Sequence, residues 1–380
     1  MTLRTLLVLP EPPLPEGRAA GRCMLAMLDG LRAHGVEVHT LAARQAFALP
    51  GEPPADARVE VVGVPPETPG WRARWLRLRQ PVGELGRGVF ARRVQELAAG
   101  ADLLHLEETA TARCSAEVAV PALLHVHFLV RRDRPLWPPW DSGARYAVEQ
   151  ALAERSAARR HRWLMASSPV VAAELRRLAP QATVELVPLS LRPQDYDAAP
   201  LDGAPVAGLI GTAAWPPTAL AMRRAALDVW PAVCRAVPGA RLRIAGRGTA
   251  ALLGGGALPG GVEVVGEVES ASQFLRGLSL LLYPLPRGSG MKVKVLEAIA
   301  CGVPVVTTSA GAEGVDGGDG VVVSDDMNAL AAAAARLLGD AAERRQRGAA
   351  ARQAFLRRYA PGPATEPLVD LYRRMAAARG

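Results

Sequence analysis

The segment RGSGMKVKVLEAIACGVPVVTT, residues 287–308, gathers the residue types that hold a phosphate. Its glycine loop, Gly288-Ser289-Gly290, follows an apolar run that ends at Tyr283-Pro284, and Met291 opens a helical pattern over 291–300. Glycines let a backbone approach an anion closely. A helix N-terminus adds unpaired N–H groups and the positive end of a dipole. Lys292 and Lys294 place cations in the first turn, which a bare helix disfavours by a few tenths to ~1 kcal/mol. A bound anion at that point reverses the sign. Glu297, further along the helix, is spaced to accept hydrogen bonds from a ribose. A plain glycine-rich turn before an amphipathic helix would use similar residues, but here every feature points the same way.

Three other groupings could carry chemistry. In PEPPLPEGRAAGR, Gly17 and Gly21 lie beside Arg18 and Arg22, in a loop between a strand and a helix. In ALLHVHFLV, His125 and His127 share a strand face, as residues i and i+2 do. They could form half a metal site with His105 as a third ligand, but no carboxylate shows a matching ligand pattern, so no metal is expected. In GWRARWLRLRQP, Arg72, Arg74, Arg77 and Arg79 alternate with Trp71, Trp75, Leu76 and Leu78. That alternation suits an anionic membrane surface or acceptor; a solvated amphipathic helix reads the same way.

These residues need a frame. Leu3 to Leu9 is a short apolar run closed by prolines, the mark of a buried parallel strand. A helix over 23–34 and a strand from Val36 to Leu41 follow, opening a doubly wound sheet. Strands recur at 59–62, 102–106, 122–130, 163–168 and 184–187, with helices at 87–99, 144–160 and 169–178. Periodicity lapses over RPQDYDAAPLDGAP, residues 192–205. Alternation then restarts with strands at 206–210, 241–245, 262–265, 278–283, 304–307 and 320–323. Helices are predicted at 218–236, 270–277, 327–338, 341–358 and 365–378. The expected fold class is therefore α/β with two Rossmann-like domains, at 1–200 and 201–360.

Bulk properties agree with a globular chain. It has 380 residues, 49% of them hydrophobic and 22% charged. The net charge of +8 favours anionic partners, although no nucleic-acid recognition motif is present and none is expected to bind. Cys23, Cys114, Cys234 and Cys301 form no C-x-x-C pair, which suits reduced thiols and a cytoplasmic location. The opening MTLRTLLVLP is too short an apolar run for a signal peptide, and no stretch nears the ~20 residues of a membrane span. Membrane contact would be peripheral, on the inner face.

The stretch GMKVKVLEAIACGVPVVTT resembles the nucleotide-binding signature of GT-B glycosyltransferases, specifically glycosyltransferase family four. GLIGTAAWPPTALAMRRAALDVWPAV and ARLRIAGRG resemble the opening of that family's donor domain, and SAGAEGVDGGDGVVVSDD its glycine-rich tail. The likeness covers residues 206–340; the first ~200 residues match only in outline.

The resemblance implies two domains facing across a cleft, with the helix over 361–380 packing back on the first. It implies transfer of a sugar from a nucleotide-sugar donor to a sugar, lipid-linked or small-molecule acceptor, with retention, without metal and without a cofactor. Such transfer would serve glycan, cell-surface polysaccharide or glycoconjugate synthesis. Glu297 would hold the ribose, and His127 would face the donor sugar. Gly17, Gly21 and Arg18 would line the N-domain phosphate and acceptor loop. The family's first glutamate falls at Ser289, so Gly290, Lys292, Lys294 and Glu297 fit a variant form of its motif. The family's usual Arg/Lys pair is missing from the loop beginning at Gly211. Arg247, Arg287, Lys292 or Lys294 must then hold the diphosphate, Lys292 or Lys294 first and Arg247 after them. Those departures leave a non-catalytic relative, binding a nucleotide or serving as a partner subunit, as the alternative.

Overall fold

The computed structural model describes residues 2–46, 48–66, 70–71, 80–134 and 140–378. Arg72, Arg74, Arg77 and Arg79, with Trp75, lie outside the described residues. The chain forms two compact units, Met1–Arg192 with Pro361–Gly380, and Pro193–Ala360.

The first unit is a seven-stranded parallel sheet. Its strands are β1 (Arg4–Leu9), β2 (Glu37–Arg44), β3 (Val59–Gly63), β4 (Leu103–Glu107), β5 (Ala122–Val126), β6 (Trp163–Ala166) and β7 (Thr183–Leu186). They lie in the order β3-β2-β1-β4-β5-β6-β7. Every residue of β4 and β6 is buried, as expected for strands covered on both faces. Leu6, Val8, Leu104, Leu106, Leu124 and Leu164 form the centre of its core. Local signals set the helix ends. Ser168 accepts from the Val171 amide and Pro169 starts the helix Pro169–Leu178. Asp141 caps Ser142–Arg160 by accepting from Ala144 N at 2.8 Å.

The expected strand at 122–130 ends sooner, at Val126. Its neighbour β4 stops at Glu107, whose register partner is His125, and β6 pairs only one residue further, Val126 with Ala166. Val130–Asp133 turns into a helix instead. The C-terminal helix starts at Pro361, earlier than 365, because prolines in a first turn lose no intrahelical bond. It belongs to the first unit, where Tyr372 Oη meets His105 Nδ1 and the Gly362 carbonyl meets His34 Nε2 at 2.9 Å.

The second unit is a six-stranded parallel sheet: β8 (Val206–Ile210), β9 (Arg241–Ala245), β10 (Val262–Gly266), β11 (Leu280–Tyr283), β12 (Val305–Thr307) and β13 (Val321–Val323). The order is β10-β9-β8-β11-β12-β13. The predicted helix at 218–236 is present as Pro216–Arg223 and Trp230–Ala236, joined through a π segment at Arg224–Val229. Pro231 supplies no N–H there, which favours the irregular turn before it. The unit boundary falls at 192/193 rather than 200/201. Ala199 N donates to Cys301 O at 2.8 Å, and Tyr196 is buried, so 193–200 is tied to the second sheet. Among the described residues, no helix is long and apolar enough to cross a membrane.

In both sheets the first strand lies between its second and fourth, so strand order reverses beside it. In open α/β sheets, ligands bind outside the carboxyl ends of the strands at such a reversal. The candidate residues gather at these two places.

Candidate functional site

In the second unit the reversal falls between β8 and β11. Lys294 is in the first turn of the helix Val293–Ala300, after Lys292 at its N-cap. The Lys294 Nζ donates to Thr218 Oγ1 at 3.1 Å and to Tyr283 Oη at 3.3 Å, and lies 4.7 Å from the Tyr283 ring centroid. Among the described residues no carboxylate pairs with it. Gly211, at the end of β8, gives it room: a Cβ there would lie 3.1 Å from the ammonium and 2.7 Å from Thr218 Cγ2. The loop after β8 is fixed by Ala213 N donating to Arg247 O at 2.9 Å. A cation is thus held without a counter-charge at the strand ends, in the helix turn whose dipole repels it.

Lys292 differs. Its ammonium lies 3.5 Å from Glu313 Oε2 and also donates to the Gly290 carbonyl. Glu313 Oε1 accepts from the Gly290 amide at 3.3 Å. A carboxylate therefore already occupies the glycine loop where the sequence suggests a phosphate. Ser289 and Met291 are buried beside it. These two lysines are the only ones in a chain with 45 Lys and Arg together. Lysine is a compact point charge, whereas arginine is a broad planar fork, and elsewhere the chain uses the fork alone.

Glu297 is 3% exposed, and its Oε1 accepts from Tyr196 Oη at 2.9 Å. Tyr196 fixes one oxygen of the expected ribose acceptor. Arg247 points outward and pairs with Glu267 at 2.9 Å, so its backbone rather than its side chain meets the loop after β8. Thr218, Tyr283, Glu313 and Tyr196 are the residues the sequence reading omits.

In the first unit the glycine loop after β1 is internally bonded. Gly17 N donates to Leu14 O at 3.2 Å and Gly21 N to Arg18 O at 3.0 Å, so neither amide is directed at a ligand. Arg18 pairs with Glu11 at 2.8 Å. Beside this loop, at the ends of β4 and β5, lies a buried polar cluster. His105 and Glu107 share one face of β4, and Glu107 is in register with His125 on β5. His125 Nδ1 lies 3.0 Å from the Glu107 carboxylate and His127 Nε2 lies 2.5 Å from it. His125 Nε2 meets Ser167 Oγ at 2.7 Å. Glu107 is the carboxylate partner that the sequence reading found lacking.

Burial alone would raise the Glu107 carboxyl, but His125 and His127 hold it well below the usual range. Burial, with help from the neighbouring imidazoles, lowers His125 to about 4 against the pull of Glu107. His127 is raised: burial opposes this, but the Glu107 charge and hydrogen bond outweigh it. Glu108 follows at φ 65, a left-handed backbone for a non-glycine residue, which marks strain at this strand end.

The segment after His127 is anchored by Glu154, whose Oε1 accepts from Val130 N at 2.7 Å. Burial pushes this carboxyl up to about 7; the Val130 amide and Arg131 oppose that rise, and Asp133 adds to it. The folded chain therefore holds a proton that the unfolded chain releases near the ordinary value of 4.5. The resulting stabilisation is full below about pH 4.5 and is lost as pH rises towards 7. It amounts to at most about 3 kcal/mol. Urea unfolding at pH 5 and pH 7.5 should show wild type losing stability over that interval and Glu154→Gln losing less. Equal losses would contradict the assignment.

Residues 205–340 match the family of glycosyl transferases group 1. No curated protein matches the chain by sequence. Among solved structures, sucrose-phosphate synthase from Thermosynechococcus elongatus aligns over 99% of this chain and 100% of its own, at 18% identity and a TM-score of 0.70. HepE from Anabaena, in complex with UDP and glucose, aligns over 97% of this chain and 99% of its own, at 15% identity and a TM-score of 0.63. A mutant of TarM from S. aureus, in complex with UDP and alpha-GlcNAc-glycerol among other ligands, aligns over 98% and 100%, at 8% identity and a TM-score of 0.69. The chain thus has the GT-B fold of glycosyltransferases, and its second unit carries the match to glycosyl transferases group 1.

Proposed function

We infer that the chain is a glycosyltransferase of the family-four type, using a nucleoside diphosphate sugar as donor. The observation that carries this is Lys294: an ammonium without a paired carboxylate among the described residues, at the reversal point of the second sheet, inside the segment matching glycosyl transferases group 1. Its role is to hold the diphosphate and stabilise the charge that grows on it as the glycosyl bond breaks. The Gly211 loop gives the phosphates close backbone approach, and Lys292 joins when a phosphate displaces Glu313 from the Gly290 amide. Glu297, oriented by Tyr196, holds the ribose.

His127 contacts the transferred sugar, and the first unit receives the acceptor, a sugar, lipid-linked or small molecule. By family likeness the reaction retains configuration and needs no metal for transfer, the donor phosphate taking the acceptor's proton. HepE and TarM were solved with UDP, which makes UDP-sugars the first donors to try. The arginines at 72–79 would dock the first unit on an anionic membrane surface in polysaccharide or glycoconjugate synthesis.

A thermal-shift screen of UDP-, GDP-, ADP- and dTDP-sugars tests donor binding. A ligand at ~100 times its dissociation constant adds about 2.7 kcal/mol of stability. One donor series should raise the melting temperature and release nucleoside diphosphate slowly. A shift without release over hours would favour the non-catalytic relative, and no shift with any donor would refute the reading.

A further inference from the structure

His105, Glu107 and His125 each present a ligand atom within 4.8 Å of the others. All three residues are at most 1% exposed. His105 Nε2 lies 3.1 Å from Glu107 Oε1, and His125 Nδ1 lies 3.0 Å from the same oxygen. A first-row cation with bonds of about 2.0–2.2 Å separates neighbouring ligand atoms by roughly 3–3.5 Å. Both imidazole nitrogens already stand at that spacing from the Glu107 oxygen, and the three ligand atoms lie within 4.8 Å of one another.

One buried atom of the cluster lies outside its hydrogen bonds. His105 Nε2 is buried and has no hydrogen-bond partner: it is near the Glu107 oxygen but misaligned for an N–H bond to it. A lone pair directed at a cation has no need of that alignment. The outer ring nitrogens are both occupied by hydroxyls. His105 Nδ1 lies 2.5 Å from Tyr372 Oη, and His125 Nε2 lies 2.7 Å from Ser167 Oγ. Metal-bound imidazoles are held this way, with the far N–H bonded to an acceptor that fixes the tautomer. With protons on the outer nitrogens, two lone pairs and a carboxylate face one another, an arrangement that a cation makes favourable; with protons on the inner nitrogens the same atoms form a proton network.

We propose that His105, Glu107 and His125 bind one divalent first-row cation, for which zinc suits the donor set of two imidazoles and a carboxylate. The ligands come from two adjacent strands and the lid from the C-terminal helix, through Tyr372. The cation therefore joins β4, β5 and the helix Pro361–Ala377 within the first unit. Glu107 Oε1 ligates while Oε2 keeps its bond with His127 Nε2. The cation takes no part in the transfer step, although Glu107 links it to His127, the residue assigned to the transferred sugar.

Because the ligands are buried, the cation enters as the chain folds. The chain should be produced in zinc-supplemented medium, dialysed extensively, and its zinc released by denaturation and counted. The expected result is about one zinc per chain in wild type and in His39→Ala, an exposed histidine elsewhere, and at least a fivefold lower content in His105→Ala. Tyr372→Phe and Ser167→Ala keep the ligands and guard against misfolding of the ligand variant. Each should weaken zinc retention against a chelator by 10–100-fold. Substoichiometric zinc in wild type, or equal zinc in wild type and all these variants, would overturn the proposal and leave a proton network in its place.

Discussion

Replacing Lys294 by Ala should lower the rate of sugar transfer by a factor of about 10² to 10³, or about 3–4 kcal/mol of transition-state stabilisation. The argument is electrostatic. The charge on a departing nucleoside diphosphate grows in the transition state, so a fixed cation beside it acts more on kcat than on KM. Lys294 is fixed by Thr218 Oγ1, Tyr283 Oη and the Tyr283 ring. Lys294→Arg keeps the charge but should restore less than a tenth of the loss. The guanidinium is wider, and Gly211 lies within contact of the ammonium. Lys294 is partly buried and sits at a helix start, where its removal relieves the dipole, so the variant should fold. Steady-state kinetics of nucleoside diphosphate release checks this. Wild-type rates in Lys294→Ala would remove the diphosphate role from this residue.

Gly246→Ala should destabilise the second unit by about 3 kcal/mol or more. Its φ of 125° lies where L side chains are strained, and an added Cβ would stand 1.8 Å from Gly211 O and 2.7 Å from Gly211 C. Neither backbone can yield easily. Gly246 N donates to Gly266 O at 2.6 Å, and Gly211 N donates to Ala245 O at 3.0 Å. Backbone strain and overpacking each contribute about 1–3 kcal/mol. For a unit of this size that lowers the melting temperature by roughly 6–12 °C. Gly255→Ala, with nothing within 4 Å of the added carbon, should change little. Since Gly211 must move aside, the Gly246 variant should also bind the donor less tightly. Calorimetric melting of the two variants decides; equal curves would show that the contact between the β8 and β9 loops is soft.

Much of the frame is legible in the residues. Buried parallel strands are apolar runs, so β8 and β9 read off at both ends, and Ser168-Pro169 announces its helix. The strand at 122–130 was overlong because Phe128, Leu129 and Val130 are apolar, while its true limit is set by the neighbouring strands. The two lysines also stand out in the sequence, since an arginine-rich chain keeps lysine only there. The partners do not. Tyr196 reads as linker, yet it lies against Glu297, 101 residues away. Glu313 reads as part of a glycine-rich tail, yet it holds the Gly290 amide. Glu107 meets His125 and His127 only through strand pairing, and register between separate strands has no local signature.

The central claim is that a nucleoside diphosphate rests on the loop after β8 and the start of the Val293–Ala300 helix. Amide hydrogen exchange, with and without UDP or whichever nucleoside diphosphate the donor screen selects, locates it directly. Slower exchange on binding is predicted across 211–215 and 288–296, and its loss in Lys294→Ala. Saturating ligand that leaves both stretches unprotected while slowing exchange elsewhere would contradict the account.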